Sequence, residues 1–163
     1  MPLRKWSFKV GPQEGDQRLD LLIASKTDLS RRQAREAIRL GGVQVMRTRL
    51  KVAGKLIRSG ADVTVAFDED LGAEPEMDIP VVFEDPWLLA VNKPAGLPSQ
   101  GTWASDRHDL LALLKRQRPD LKLFLQHRLD QPTSGLLLLS KRAEANANLT
   151  AQFEGRELEK LYL

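Results

Sequence analysis

Apolar residues near the start of the chain recur at helical spacing in two short stretches. The first stretch spans residues 19–23, where Leu and Ile side chains share one helical face. Ser30 and Gln33 then have the spacing of a capping box, which opens a second helix. Gly41-Gly42 is a suitable end for that helix. The pattern therefore predicts two consecutive helices within the first 42 residues.

Strand spacing follows the second helix. Valines alternate with a polar residue over 43–45, and the same alternation returns over 63–67 after a Ser59-Gly60 turn. Residues 68–78 are acidic, contain Gly and Pro, and lack periodicity, which indicates a linker. We therefore predict a small helix-and-sheet domain over 1–67, a linker over 68–78 and a second domain over 79–163.

The second domain alternates strand and helix patterns, which predicts a mixed α and β fold with mainly antiparallel strands. Its fully apolar run of leucines is short enough for a buried strand. The predicted elements are a β-hairpin over 81–91, a loop over 92–96, a helix within 106–117, a strand over 136–139 and a helix over 143–153. The chain as a whole is therefore assigned to the α+β class.

Charge is distributed unevenly between the two predicted domains. Residues 1–67 hold 14 Lys and Arg against 6 Asp and Glu, whereas residues 68–163 hold 11 against 16, so the formal net charge of +3 combines +8 with −5. Four arginines of the second helix form a basic stripe: Arg31, Arg32, Arg35 and Arg39. The stripe indicates polyanion binding, and a solvated helix face is the alternative.

Composition excludes several classes of protein. The chain has no cysteine, so a disulfide framework is not available. No apolar run approaches the roughly 18 residues that a membrane span requires, and the N-terminus lacks the apolar stretch of a secretory signal. We therefore expect a cytoplasmic protein without a membrane partner.

Three stretches together resemble the pseudouridine synthases of the large-subunit ribosomal type. His127-Arg128-Leu129-Asp130 followed by Thr133-Ser134-Gly135 is similar to the signature of that family, Asn92-Lys93-Pro94-Ala95-Gly96 to its upstream loop, and Lys160-Leu161-Tyr162 to a downstream element. A sister family that acts on small-subunit RNA usually has Gly and Glu at the positions of His127 and Ser134. These two residues favour the first family.

The N-terminal segment resembles the small RNA-binding module named after ribosomal protein S4. The resemblance rests on Arg18-Leu19-Asp20, on Leu29 to Ala34 and on Gly42 to Val45. Met46-Arg47-Thr48 departs from the pattern, because many members have Asn-Gly there. The resemblance implies an S4-like domain with two helices and a β-hairpin, placed ahead of the catalytic domain.

The family resemblance implies an isomerase that converts uridine to pseudouridine without a cofactor or a metal. An Asp at the position of Asp130 is the catalytic carboxylate, and it acts on the uracil, on the sugar carbon or on a sugar proton. Arg128 is implied to help open the site or contact RNA, and Tyr162 to lie against the target base. His127 is expected to orient neighbouring groups, and Asn92-Lys93-Pro94 to shape a turn.

The expected substrate is RNA, with ribosomal RNA favoured and transfer RNA the alternative. Arg31, Arg32, Arg35 and Arg39 are expected to dock that RNA. Because members of the family continue for about as long again, we expect the chain to lack the C-terminal half of the catalytic domain. The rival hypothesis is an RNA-binding protein in which the S4-like module is joined to an inactive, truncated synthase domain.

Overall fold

The computed structural model describes residues 3–72, 74–155, 157–159 and 161. The chain folds into two compact units. Unit 1 comprises the chain up to Glu74 together with Thr102–Arg107, and unit 2 comprises Pro75–Gly101 and the chain from His108 onward. The passage from one unit to the other at Glu74 therefore falls within the segment that the sequence indicates as a linker.

Unit 1 contains two helices packed on an antiparallel sheet. Its elements are β1 (Arg4–Lys9), β2 (Gln17–Arg18), α1 (Leu19–Lys26), α2 (Arg31–Leu40), β3 (Val43–Val45), β4 (Thr48–Arg49), β5 (Leu56–Ile57) and β6 (Asp62–Phe67). The sheet order is β1-β6-β3-β4, and β2 pairs with β5 separately. Leu22 of α1, Ile38 of α2 and Val65 of β6 are fully buried in the shared core. The predicted helix pair followed by a small sheet is confirmed.

Helix α2 begins and ends as its sequence predicts. The Ser30 hydroxyl accepts a hydrogen bond from the Gln33 backbone N–H at 3.2 Å, and the Gln33 side chain accepts one from the Ser30 N–H at 2.9 Å. Gly41 ends the helix with φ of 86°, a left-handed conformation that glycine adopts without a steric penalty. This local chemistry fixes the length of the helix and hence the spacing of its arginines.

The turn between β3 and β4 departs from the usual residue preferences. Met46 and Arg47 form a two-residue loop in which both have positive φ, 49° and 66°. A two-residue hairpin loop of this kind favours Asn-Gly because a side chain is disfavoured in the left-handed region. The hairpin therefore forms at a cost of about 1 kcal/mol per residue.

Replacing Arg47 by glycine is expected to raise the free energy of unfolding by about 0.5–1 kcal/mol, because the left-handed strain is removed. Arg58→Gly is the matched control: it removes the same charge from an exposed position of the same unit whose φ is not positive. The control should lower the free energy of unfolding by a similar amount, since glycine gains freedom in the unfolded chain. Urea unfolding measures both, and equal effects would contradict the assignment of strain to Arg47.

A segment from the second half of the chain completes unit 1. Arg49 donates hydrogen bonds to the Gly41 carbonyl and, at 2.5 Å, to the Thr102 carbonyl. The Lys51 ammonium lies 2.8 Å from the Asp106 carboxylate, and the Asp106 N–H donates to the Leu40 carbonyl. Thr102–Arg107 thus packs against the C-terminal end of α2, which the sequence pattern did not indicate.

Unit 2 is built on an antiparallel sheet of order β7-β8-β10-β9. Its elements are β7 (Val81–Glu84), β8 (Leu88–Lys93), α3 (Leu110–Gln117), β9 (Phe124–Leu125), β10 (Gly135–Ser140) and α4 (Ala143–Glu154). Leu110 and Leu114 of α3 share its buried core with Leu137 and Leu139 of β10. The α+β class and the antiparallel sheet are therefore confirmed. No helix in the described ranges is both long and apolar enough to cross a membrane.

The leucine run forms strand β10, as predicted, but only one face of the strand is buried. Leu137 and Leu139 are fully buried, whereas Leu136 is 56% exposed. Alternate side chains of a strand point to opposite faces of its sheet, and only one face of β10 meets the core of unit 2. A continuous apolar run does not distinguish this arrangement from a strand covered on both faces.

Candidate active site

The two loops that carry the family-like motifs meet at one end of the unit 2 sheet. Strands β8 and β10 are antiparallel neighbours, and Lys93 at the end of β8 lies opposite Gly135 at the start of β10. The chain that leaves β8 and the chain that enters β10 therefore run beside each other. This pairing brings the 92–99 loop next to Asp130.

Lys93 is the link between the two loops. Its side chain is fully buried, and its Nζ donates hydrogen bonds to the carbonyls of Leu97 at 2.7 Å, Pro94 at 3.0 Å and Gln131 at 3.3 Å. Burial lowers the pKa of the Lys93 ammonium, and the negative charge of Asp130 opposes part of that shift. Lys93 thus holds the backbone on the C-terminal side of Asp130.

Ser99 holds the backbone on the other side of Asp130. Its buried hydroxyl donates a hydrogen bond to the Leu129 carbonyl at 2.7 Å and lies 3.1 Å from the Leu129 N–H, which donates to it. The Gly96 N–H donates to the Gln131 carbonyl at 2.8 Å. Leu129 and Gln131 are therefore both fixed by the 92–99 loop.

The Asp130 side chain itself is exposed. The backbone carbonyl of Asp130 accepts a hydrogen bond from the Thr133 N–H at 3.0 Å, which closes a turn. The carboxylate therefore projects from a backbone that is fixed on both sides, and it remains accessible to a large substrate. Such an arrangement suits a reactive group that must be positioned before the substrate arrives.

His127 and Arg128 lie just before Asp130 in different environments. The His127 Nε2 accepts a hydrogen bond from the Leu138 N–H at 3.2 Å, and the ring stacks on Phe153 with 5.2 Å between centroids. Arg128 is exposed. These contacts favour an orienting role for His127, and they leave Arg128 accessible beside Asp130.

The four arginines of α2 differ in their hydrogen-bond partners. Arg31 and Arg35 both donate through Nε to the buried carboxylate of Asp20. Arg39 instead makes two hydrogen bonds with Glu36, and Arg32 lines a cavity whose walls include Glu36 and Glu69. Periodicity places all four on one side of the helix, but the carboxylates around them divide the set.

A family model described as RNA pseudouridylate synthase matches residues 87–163. This segment belongs to that family. It contains all the residues around Asp130 that have been described above, including Lys93 and Ser99. The predicted resemblance to the pseudouridine synthases is confirmed.

Curated relatives extend this similarity to most of the chain. A tRNA pseudouridine synthase C of Salmonella typhi is 40% identical over 84 residues, which are 50% of this chain and 32% of the relative. An uncharacterized RNA pseudouridine synthase of Mycoplasma pneumoniae is 30% identical over 154 residues, and a ribosomal large subunit pseudouridine synthase C of Vibrio parahaemolyticus is 30% identical over 159. Each of these two alignments covers 90% of this chain and 50% of the relative. The chain thus spans between about a third and a half of the length of these synthases.

Sequence reasoning about the synthase site found Asp130 but assigned Lys93 only to a turn and did not single out Ser99. A lysine at the end of an apolar strand and directly before a proline is a possible signal for burial, because the strand carries it into the core. Tyr162 lies outside the described residues, so its role stays a prediction. Within the described ranges, no group of three or more His, Asp or Glu side chains is arranged to hold a metal ion.

Proposed function

We propose that this chain is part of an RNA pseudouridine synthase with Asp130 as its catalytic carboxylate. The observation that carries the proposal is the combination of an exposed Asp130 side chain with a backbone held on both sides by Ser99 and Lys93. Arg128 is proposed to assist at the RNA, and Tyr162 to lie against the target base. A cytoplasmic location, expected from the sequence, is part of this proposal.

The proposed reaction is an isomerisation with no external group. The bond between the ribose C1′ and the uracil N1 breaks, the uracil turns, and a bond forms between C1′ and C5. The proton on C5 is lost and N1 gains one, so atoms and electrons balance without an oxidant or a cofactor. The carboxylate of Asp130 supplies a nucleophile or a base for this sequence.

The target base must leave its stack to reach an exposed carboxylate on a loop. Extruding a nucleotide costs a few kcal/mol, and contacts to the RNA backbone can offset part of that cost. We propose that the segment 1–67 is an S4-like RNA-binding module that supplies such contacts. Its helix pair, its β3–β4 hairpin and the exposed Arg31 and Arg35 of α2 support this assignment.

Ribosomal RNA is the proposed substrate, with transfer RNA as the alternative. His127 and Ser134 of the motif favour the large-subunit type, and one relative that aligns with 90% of this chain is named as a ribosomal large subunit synthase. Relatives named as tRNA pseudouridine synthases align with about half of the chain. The longer alignment includes the N-terminal segment, which favours the ribosomal substrate.

The substrate is tested by incubating the chain separately with unmodified ribosomal RNA and unmodified transfer RNA and mapping pseudouridine at single-nucleotide resolution. We expect conversion at one or a few sites in ribosomal RNA. Conversion confined to transfer RNA would overturn the substrate assignment and leave the synthase proposal in place. RNA binding without conversion of either RNA would favour the rival, an RNA-binding protein with an inactive synthase domain.

A further inference from the structure

A buried carboxylate organises three arginines on the surface of unit 1. Asp20, in the first turn of α1, has a fully buried side chain. Its Oδ1 accepts from Arg18 Nε at 3.0 Å, and its Oδ2 accepts from Arg18 Nη2 at 3.1 Å, Arg31 Nε at 3.1 Å and Arg35 Nε at 2.8 Å. Burial alone would raise the pKa of Asp20, but the hydrogen bonds from the three guanidinium groups hold it well below its usual range.

The cluster carries more positive charge than Asp20 neutralises. Three guanidinium groups surround one carboxylate, and their side chains remain 41%, 49% and 51% exposed for Arg18, Arg31 and Arg35. Arg31 and Arg35 use Nε for Asp20, and their Nη groups have no hydrogen-bond acceptor among the described residues. These Nη groups therefore remain available to an anion outside the chain.

The other two arginines of α2 lack this arrangement. Arg39 donates from Nε at 3.0 Å and Nη2 at 2.7 Å to Glu36, and its Nη1 lies 3.6 Å from Glu74. Arg32 lines a cavity that Glu36 and Glu69 also line. Glu36 offsets the charge of Arg39, and no carboxylate among the described residues hydrogen-bonds to Arg32 to fix its orientation, whereas Asp20 fixes three guanidinium groups at once.

We infer that Arg18, Arg31 and Arg35, positioned by Asp20, form a binding site for the phosphate backbone of RNA. The inference rests on the proposal that the chain acts on RNA, and it narrows the expected interface. The interface now includes Arg18, from β2, and it no longer includes Arg32 and Arg39. Asp20 is a positioning residue. Arg31 and Arg35 are fixed through Nε and present their Nη pairs in one orientation, which lowers the entropy lost when a phosphate binds. Arg18 uses both Nε and Nη2 for Asp20 and contributes its charge and its Nη1.

The test is the salt dependence of RNA binding by the full chain, measured by anisotropy with a fluorescent fragment of large-subunit ribosomal RNA, and conversion of the same RNA by the wild type is measured separately. Arg18→Gln, Arg31→Gln and Arg35→Gln should each weaken binding about three- to tenfold and reduce the slope of log K against log salt by about 0.7–0.9. Arg32→Gln and Arg39→Gln are the matched controls, because each removes the same charge from α2. The controls should change affinity less than about twofold.

Two further variants separate orientation from charge. Arg35→Lys keeps the charge but loses the guanidinium fork, so it should weaken binding, whereas Arg39→Lys should not. Asp20→Asn removes one negative charge and so makes the chain more positive. It should nevertheless weaken RNA binding, because the three arginines lose the carboxylate that positions them. Circular dichroism checks the fold of each variant, and if Asp20→Asn does not fold, the comparison of Arg35→Gln and Arg35→Lys with the Arg39 variants decides.

Equal losses at Arg35 and Arg39, or tighter binding by a folded Asp20→Asn variant, would overturn the inference. If either result is found while the wild-type chain converts RNA, the proposed function stands and only the phosphate site is overturned. Absence of both RNA binding and conversion by the wild type would overturn the two together. The wild-type measurement thus separates failure of the phosphate site from failure of the synthase proposal.

Discussion

Replacing Asp130 by asparagine is expected to reduce pseudouridine formation by on the order of 10³-fold or more, with little effect on folding or RNA affinity. The amide has nearly the same shape as the carboxylate, but it is neither a nucleophile nor a base of useful strength. Because the Asp130 side chain is exposed, its replacement should change the free energy of unfolding by less than about 0.5 kcal/mol. Single-turnover conversion at the mapped uridine measures the effect.

The matched control for Asp130 is Asp120→Asn. Asp120 is also an exposed aspartate of unit 2, in the turn after α3, so its replacement makes the same change of charge in the same unit. The control should retain wild-type conversion. A variant with Asp130→Asn that keeps conversion within tenfold of the wild type would rule out Asp130 as the catalytic carboxylate, whatever the family relationship of the segment.

Replacing Lys93 by methionine is expected to lower the free energy of unfolding by about 2–4 kcal/mol, because the carbonyls of Pro94, Leu97 and Gln131 lose a charged donor in the protein interior. Conversion should fall by on the order of 10²-fold in the protein that remains folded, since the backbone around Asp130 loses one of its attachments to residues 92–99. Urea unfolding and single-turnover conversion measure the two effects. Lys122→Met, at an exposed lysine of the same unit, should leave both unchanged.

The pH dependence of the Lys93 effect has a defined sign. Because burial lowers the pKa of folded Lys93 below the ordinary 10.5, the unfolded chain binds more protons between the lowered value and 10.5. The wild type should therefore gain stability relative to Lys93→Met as the pH rises through that interval. A difference in unfolding free energy that stays constant, or that narrows with rising pH, would contradict a buried lysine with a lowered pKa.

Local signals in the sequence were sufficient for α2. Ser30 and Gln33 form the capping box that their spacing predicts, and Gly41 takes the left-handed conformation at the other end. These interactions join residues within a few positions of each other, so they do not depend on the rest of the fold. The alternation of valine and glutamine in β3 is also a local signal, because it can be recognised from adjacent residues alone.

Contacts between distant residues could not be read in this way. Strand β1 was not predicted, because only Trp6 and Phe8 are large and apolar among its alternating polar residues, and its partner β6 follows more than fifty positions later. Asp20 is an ordinary first-turn acid by sequence, and only the folded chain places three arginines around it. At the candidate site, the motif identified Asp130, but the hydroxyl of Ser99 reaches Leu129 across thirty positions of chain.

The segment Thr102–Arg107 makes the N-terminal unit discontinuous in sequence, and this affects how the unit can be transferred between proteins. Cutting the gene after Glu74 would remove the carbonyl of Thr102 that Arg49 bonds and the carboxylate of Asp106 that Lys51 pairs with. The fragment that ends at Glu74 would keep its helices and its sheet, but the segment that packs against the C-terminal end of α2 would be missing. Domain swaps and minimal RNA-binding fragments would therefore have to graft a six-residue loop alongside the first 74 residues, and recombination at a single point would not exchange the whole unit.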